Sequence, residues 1–370
     1  MTEEGTMGAE LVGIGNAMVD VFSPVDEDVG PLLGLTVHRS IHVDYQRLNE
    51  ILVALPSPQL SAGGGTANTI KIASLLGIAT AFVGTVGSGP GPRPLGKGEA
   101  DSSPPIPGAP ALEDRFARIF RNDMAEMGVQ THLTVSPKPT GLCAIVKMPD
   151  QGIAIAACPS AALDLQPQDI PEKLIRQAKI VMLDGFLLQN QRVVERVLEL
   201  ANRFGTIIAM DVGSSAVAAE RALEIAGYCR SYPVILFMNE EEATAFCTVL
   251  RNGQTPEEGE PEERYKALKA LTADNLFPII VVKRGDQGAL VFAGNDVHSA
   301  PTIATIPFDA TGAGDAFAAA FLSAWLRNRS LSECAAQGNR LAREVLKVPG
   351  TRLDCDRLKK VARSLGTDKG

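Results

Sequence analysis

Residues 180–210 read IVMLDGFLLQNQRVVERVLELANRFGTIIAM, and the fold follows from them. Ile180 to Leu183 is a short, continuous apolar run, the pattern of a strand buried on both faces. Gln189 to Arg203 has helical spacing and ends near Gly205, where glycine supplies a left-handed cap. Thr206 to Met210 is a second apolar run. Strand, helix, strand is a crossover unit, and it predicts parallel pairing.

The same rhythm continues in both directions. Leu11 to Gly15, Ala79 to Val83, Val234 to Met238 and Pro278 to Val282 are rich in Val and Ile and bounded by Gly, Asp or Asn. Asp114 to Met127 is an amphipathic helix that stops at Gly128. The whole predicts an α/β fold with a mostly parallel central sheet covered on both faces. Two regions depart from it. Thr36 to Tyr45 and Gly141 to Ala157 have strand character, and Pro149-Asp150-Gln151-Gly152 is a hairpin signal inside the second. We expect a small β-rich lid, built from about residues 21–45 and 131–162, on a single domain covering 1–370. Ser88 to Ala111 holds 7 prolines and 5 glycines. No regular helix or central strand forms from such a segment, and it is read as a surface insertion.

The chain has 370 residues, 43 acidic and 35 basic side chains, and a formal charge of -8. The acidic balance argues against a nucleic-acid backbone or an anionic membrane as partner. No apolar stretch is long enough to span a bilayer. The opening MTEEGTMGAE lacks the basic and apolar regions of a signal peptide. The six cysteines stand singly and the four histidines form no HExxH pair, so zinc chemistry and a disulfide framework are disfavoured. A reduced, cytoplasmic protein is expected.

Five segments carry candidate chemistry. The first is FDATGAGDAFAAAF, Phe308 to Phe321. Gly312, Ala313 and Gly314 at a helix start expose backbone amides to an anion. Asp315 among them suits a general base that takes a proton from a hydroxyl attacking a phosphate. Simple helix capping would also account for it. The second is AGGGTAN, Ala62 to Asn68. Gly64 and Gly65 permit close backbone approach, and Asn68 offers a donor and an acceptor to sugar hydroxyls; a plain glycine turn before a helix explains them equally.

The third, GIGNAMVD (Gly13 to Asp20), lacks the third glycine of a dinucleotide fingerprint. Asp20 could accept two hydrogen bonds from vicinal hydroxyls, or be a solvated loop residue. The fourth is Asn239 to Glu242 at the end of a strand, where carboxylates face the crevice of an open α/β sheet and suit magnesium. An acidic first turn also complements a helix dipole. The fifth, Lys283 to Gly288, is a glycine turn able to line a nucleotide, or a plain hairpin. GxxxxGK[ST] and GxSxG are both missing, which removes P-loop kinases and the usual hydrolase elbow.

In this order the motifs resemble the ribokinase-like (PfkB) family of sugar and nucleoside kinases. AGGGTAN is similar to its N-terminal signature, DATGAGDAF to its C-terminal one, and Asn239 to Glu242 to its NxxE motif. The resemblance runs from about Leu11 to Leu346. It implies the ribokinase-like three-layer sandwich and ATP-dependent phosphorylation of a primary alcohol. It implies Asp315 as base, Gly312 to Gly314 as anion hole, and Glu242 with Asn239 organising Mg2+ through water. By the same resemblance Arg284, Gly285, Gly288 and Asn339 line the ATP site, and Asn16, Asp20, Gly64, Gly65 and Asn68 hold the acceptor.

GIGNAMVD and Asp184-Gly185-Phe186 resemble the adenosine-kinase branch. Gly65, where Ser is common, departs from it. Phe22, Phe186 and Leu133 are the candidates for stacking a base. The reading is a nucleoside kinase acting on adenosine or a similar nucleoside, as monomer or homodimer. The alternatives are a sugar kinase for ribose, fructose or a relative, and a catalytically idle binding protein on the same scaffold.

Overall fold

The computed structural model describes residues 8–37, 39–91, 113–149, 152–252, 265–273, 277–305 and 311–347. Most of the insertion, the tip of the hairpin at Asp150-Gln151, and Phe308 to Ala310 of the C-terminal motif lie outside them.

The strands, in chain order, are β1 (Leu11–Ile14), β2 (Met18–Pro24), β3 (Ser40–His42), β4 (Gln59–Gly63), β5 (Thr80–Gly87), β6 (Gln130–Ser136) and β7 (Gly141–Lys147). They continue as β8 (Ile153–Cys158), β9 (Ile180–Asp184), β10 (Ile207–Asp211), β11 (Val234–Asn239), β12 (Ile279–Lys283), β13 (Ala289–Ala293) and β14 (Asp296–Ala300). Among the described residues the large sheet runs β14-β13-β12-β11-β10-β9-β1-β5-β6. Every pairing from β12 to β6 is parallel, and β13 and β14 close one edge as antiparallel strands.

Alternation along these strands makes two cores. Ile180, Met182, Ile235 and Phe237 face one side with the helices Gly65–Leu75, Ala313–Leu326 and Leu331–Val345. Val181, Leu183, Leu236 and Met238 face the other with the helices Gln191–Phe204 and Glu240–Leu250. This is the three-layer α/β sandwich that two-face burial of parallel strands requires. Helix Ala313–Leu326 is apolar nearly all round because it is buried nearly all round. Phe321 fixes it to the sheet, edge-on to Phe237 at 5.3 Å and stacked with Phe317 at 6.3 Å. Such aromatic pairs add about 0.5–1.5 kcal/mol beyond burial.

A second sheet runs β3-β8-β7-β2-β4. Its composition differs from the sequence expectation in three places. Residues 130–136 pair parallel with β5 in the large sheet, not in the small one. Gln59–Gly63, outside the expected segments, pairs antiparallel with β2. Thr36 to Tyr45 gives only the three residues of β3, because Asp44 accepts a hydrogen bond from the Arg47 amide (2.7 Å) and starts a helix at Tyr45. A capping carboxylate at that point ends the extended run.

Candidate active site

Parallel strands bring their carboxyl ends to one edge of the sheet. Asp184 and Asp211 are register partners there, and so are Asn239 and Lys283. Strand order reverses about β1, whose neighbours are β5 and β9, and crevices form at such a switch point. Above this edge, two helices begin on glycines with positive φ. Gly64 (φ 97°) precedes helix Gly65–Leu75, and Gly312 (φ 78°) precedes helix Ala313–Leu326. The first helix starts at Gly65, inside the AGGGTAN motif, because Gly64 takes up the sharp entry that other residues resist.

The two helix starts meet. Asn68 Nδ2 donates to Asp315 Oδ2 at 3.1 Å, while Asn68 Oδ1 is buried with no partner among the described residues. A methyl group on Gly65 would stand 3.6 Å from Asp315 Oδ1. Asp20 is buried under Gly63, where an added side chain would collide with its carboxylate. Half-buried Asn16 borders the same place, its carbonyl oxygen 2.6 Å from where Gly64 would carry a Cβ. Burial, and then the nearby Asp211 charge, push Asp315 up to about 7; Asn68 and Lys283 act against this, and Asp20 adds to it.

A cleft of about 680 Å³ opens on the other side of Asp315. Gly312, Ala313 and Gly314 form its rim, and Asn239, Glu242, Gly285, Gly288 and Asn339 line its walls. Asn339 is held by Nδ2 donation to the Ala300 carbonyl at 2.8 Å. Arg284 is not among the lining residues; its guanidinium folds back onto Gln287. Asn239 and Glu242 form a reciprocal cap: each side chain accepts from the other's backbone amide at 2.8 Å, and Asn239 Nδ2 donates to Glu242 Oε1 at 3.0 Å. The acidic-turn explanation therefore holds for Glu242, and the carboxylate still faces the cleft. Burial and Asp211 raise its pKa, with Lys283 opposing.

Sequence reasoning took Lys283 only as the start of a glycine turn and missed Asp211, its partner in the cleft. Lys283 Nζ meets Asp211 Oδ2 at 2.6 Å, and both line the cleft. The signal was present: Asp211 ends the run Thr206 to Met210, as Asp184 ends its own. Asp184 is otherwise engaged. It accepts from Thr66 Oγ1 at 2.8 Å and from the Leu187 amide at 3.2 Å, joining β9 to the first glycine-started helix.

The donor set suits magnesium. Asp211 and Glu242 are oxygen ligands, and magnesium takes one or two carboxylates with waters and phosphate oxygens. Among the described residues no group of three or more His, Cys, Asp and Glu is placed to hold a metal by itself. No described helix is long and apolar enough to cross a membrane.

The chain is 23% identical over 342 residues to adenosine kinase 1 of Arabidopsis thaliana, covering 89% of this chain and 91% of that protein. A probable sugar kinase from Rhizobium etli superposes with a TM-score of 0.79 at 23% identity, over 98% of this chain and 99% of that one. The adenosine kinase from Sinorhizobium meliloti gives the same TM-score and identity over 96% and 99%. The description of pfkB family carbohydrate kinases matches residues 113–357, two-thirds of the sequence and every residue that lines the cleft. The chain therefore belongs to the pfkB family of carbohydrate kinases and is a phosphotransferase acting on a hydroxyl group.

Proposed function

We propose that the protein transfers the γ-phosphoryl group of ATP, the donor used by its family, to a primary hydroxyl of a nucleoside such as adenosine. One observation carries the reading: Asn68 joins Asp315 by one side-chain atom and leaves its buried Oδ1 unpaired. An unpaired buried acceptor is costly unless a ligand donor satisfies it, and a sugar hydroxyl is such a donor. The acceptor-reading end of the chain and the base then share one point.

Asp20, Asn16 and the Gly64-Gly65 turn hold the acceptor's hydroxyls. Asp315, in its ionised form, takes the proton from the attacking oxygen. The amides of Gly312, Ala313 and Gly314, at the positive end of a long buried helix, face the charge that builds on the transferred group. Gly285, Gly288 and Asn339 wall the nucleotide cleft, with Arg284 bracing the turn. Glu242, held by Asn239, and Asp211 would hold magnesium through its water shell; the ion supplies neutralisation of phosphate charge when bound. The small sheet covers the acceptor side and excludes water from the transfer.

A planar base has a partner in Phe186. Its ring is half-buried, with His42 of β3 edge-on at 6.3 Å, and β3 belongs to the same small sheet as the Asp20 strand. This supports nucleoside over sugar. An ATP-consumption screen over nucleosides, ribose and fructose tests it. Adenosine or another nucleoside should turn over with the free sugars silent. Turnover of free sugars alone would replace the nucleoside reading with the sugar-kinase one, and silence throughout would favour an idle scaffold.

A further inference from the structure

The Lys283–Asp211 pair has a placement that a structural ion pair does not need. Lys283 ends β12 and Asp211 ends β10, with β11 between them. To reach Asp211, the ammonium crosses the cleft floor beneath the glycine-started helix. A methyl group on Gly314 would stand 3.2 Å from Lys283 Nζ. The missing side chain at 314 thus leaves a lysine ammonium beside the very amides that an incoming phosphate would meet. Both partners are nearly buried, with side-chain exposures of 15% and 12%.

The charge around the ammonium is lopsided. Asp211, Glu242 and Asp315 all line the same cleft as the ammonium. The lysine is the cation among three carboxylates there. An ammonium on a four-carbon stem is also a mobile point charge, unlike backbone amides.

We propose that Lys283 is a catalytic residue that leaves Asp211 to bind the terminal phosphate of the nucleotide and follows that group through transfer. The inference rests on the kinase reading. In the step, the acceptor oxygen forms a bond to the γ-phosphorus while the bond from that phosphorus to the β–γ bridging oxygen breaks. The hydroxyl proton goes to Asp315, ADP leaves with the electron pair, and the ammonium keeps its protons. Contact with the γ-phosphate alone makes Lys283 a reader of nucleotide charge state: it favours the triphosphate over the diphosphate.

The test is calorimetric binding of a non-hydrolysable β,γ-methylene ATP analogue and of ADP, to the wild type, Lys283→Met and Lys283→Arg. Lys283→Met should weaken the analogue by roughly tenfold to a hundredfold, the loss of one charge-assisted contact, and weaken ADP far less. Lys283→Arg should recover most of the analogue's affinity. Equal losses for both nucleotides, or no loss, overturn the inference and leave the kinase reading standing. A wild type that binds neither nucleotide overturns the kinase reading itself. Lys283→Met strands the Asp211 carboxylate, so the neutral pair Lys283→Met with Asp211→Asn is measured alongside. If Lys283→Met alone does not fold, the analogue-to-ADP affinity ratio of the pair, compared with the wild type, decides by the same criterion.

Discussion

Asn68 Nδ2 and Asp315 Oδ2 lie 3.1 Å apart, a hydrogen bond between residues 247 positions apart in sequence. It ties the starts of two helices that each begin on a positive-φ glycine, and so puts the two signature segments into one site. Five outcomes follow from this arrangement.

Asp315→Asn keeps the shape of the contact and removes the proposed base. Turnover should fall by ~10²–10⁴-fold, the usual cost of losing general-base help, while the affinity for the ATP analogue changes little. Steady-state kinetics with calorimetric binding separates the two; wild-type turnover in this variant would refute the assigned role.

The pH dependence has a defined sign. Burial and then Asp211 hold Asp315 up to about 7, so kcat/KM should drop as the pH falls below that value. Asn68 favours the ionised form, so Asn68→Ala should move the acid limb upward. Stability runs the other way. The folded state binds this proton more tightly than the unfolded chain, so the contribution is present at low pH and lost as pH rises through about 7. The melting temperature of Asp315→Asn should therefore gain on the wild type as the pH rises from about 4 to about 7, and hold level above that.

Asp20→Ala should raise the acceptor KM roughly tenfold or more, with the ATP KM near its wild-type value. Because the Asp20 charge raises Asp315, the acid limb should also shift downward. An unchanged acceptor KM would remove Asp20 from the hydroxyl-binding set.

Gly314→Ala separates stability from activity. Alanine in a helix is favoured over glycine by about 0.5–1 kcal/mol, so the melting temperature should rise or hold. Its methyl group would crowd Lys283 Nζ, so turnover should fall. Thermal melts and kcat are measured on the same sample, and a variant with full activity would contradict this placement.

Phe321→Ala should cost about 3–5 kcal/mol by denaturant unfolding, because the ring bridges Phe237 on the sheet and Phe317 in its own helix. A loss below about 1 kcal/mol would mean the helix is anchored elsewhere.

Much of this was legible before any coordinates. Ile180 to Met210 announces parallel pairing because a strand with both faces buried has no polar residues to alternate. Gly128 and Gly205 mark helix ends because only a left-handed residue closes them there, and both have positive φ. Other features depend on partners distant in sequence. Nothing near Gln130 to Ser136 says whether it adds to the large sheet or the small one. Lys283 and Asp211 each look like a strand-end charge, and only lateral strand order makes them a pair. Arg284 reads in sequence like its glycine neighbours, but only the fold shows its two terminal nitrogens on Gln287 and its Nε buried without a partner among the described residues.

Strand β1 passes into β2 through Gly15–Ala17, and β4 passes into the helix Gly65–Leu75 at Gly64. These are two of four threads between the sheets; the others are Pro137–Thr140 and the passage from β8 to β9. A guest held at Asn16 and Gly64, as proposed, would act as a splint across two of the four. A guest of the right size stiffens them, and one too short leaves them slack. Selection of the guest and movement of the cover are then a single mechanical event.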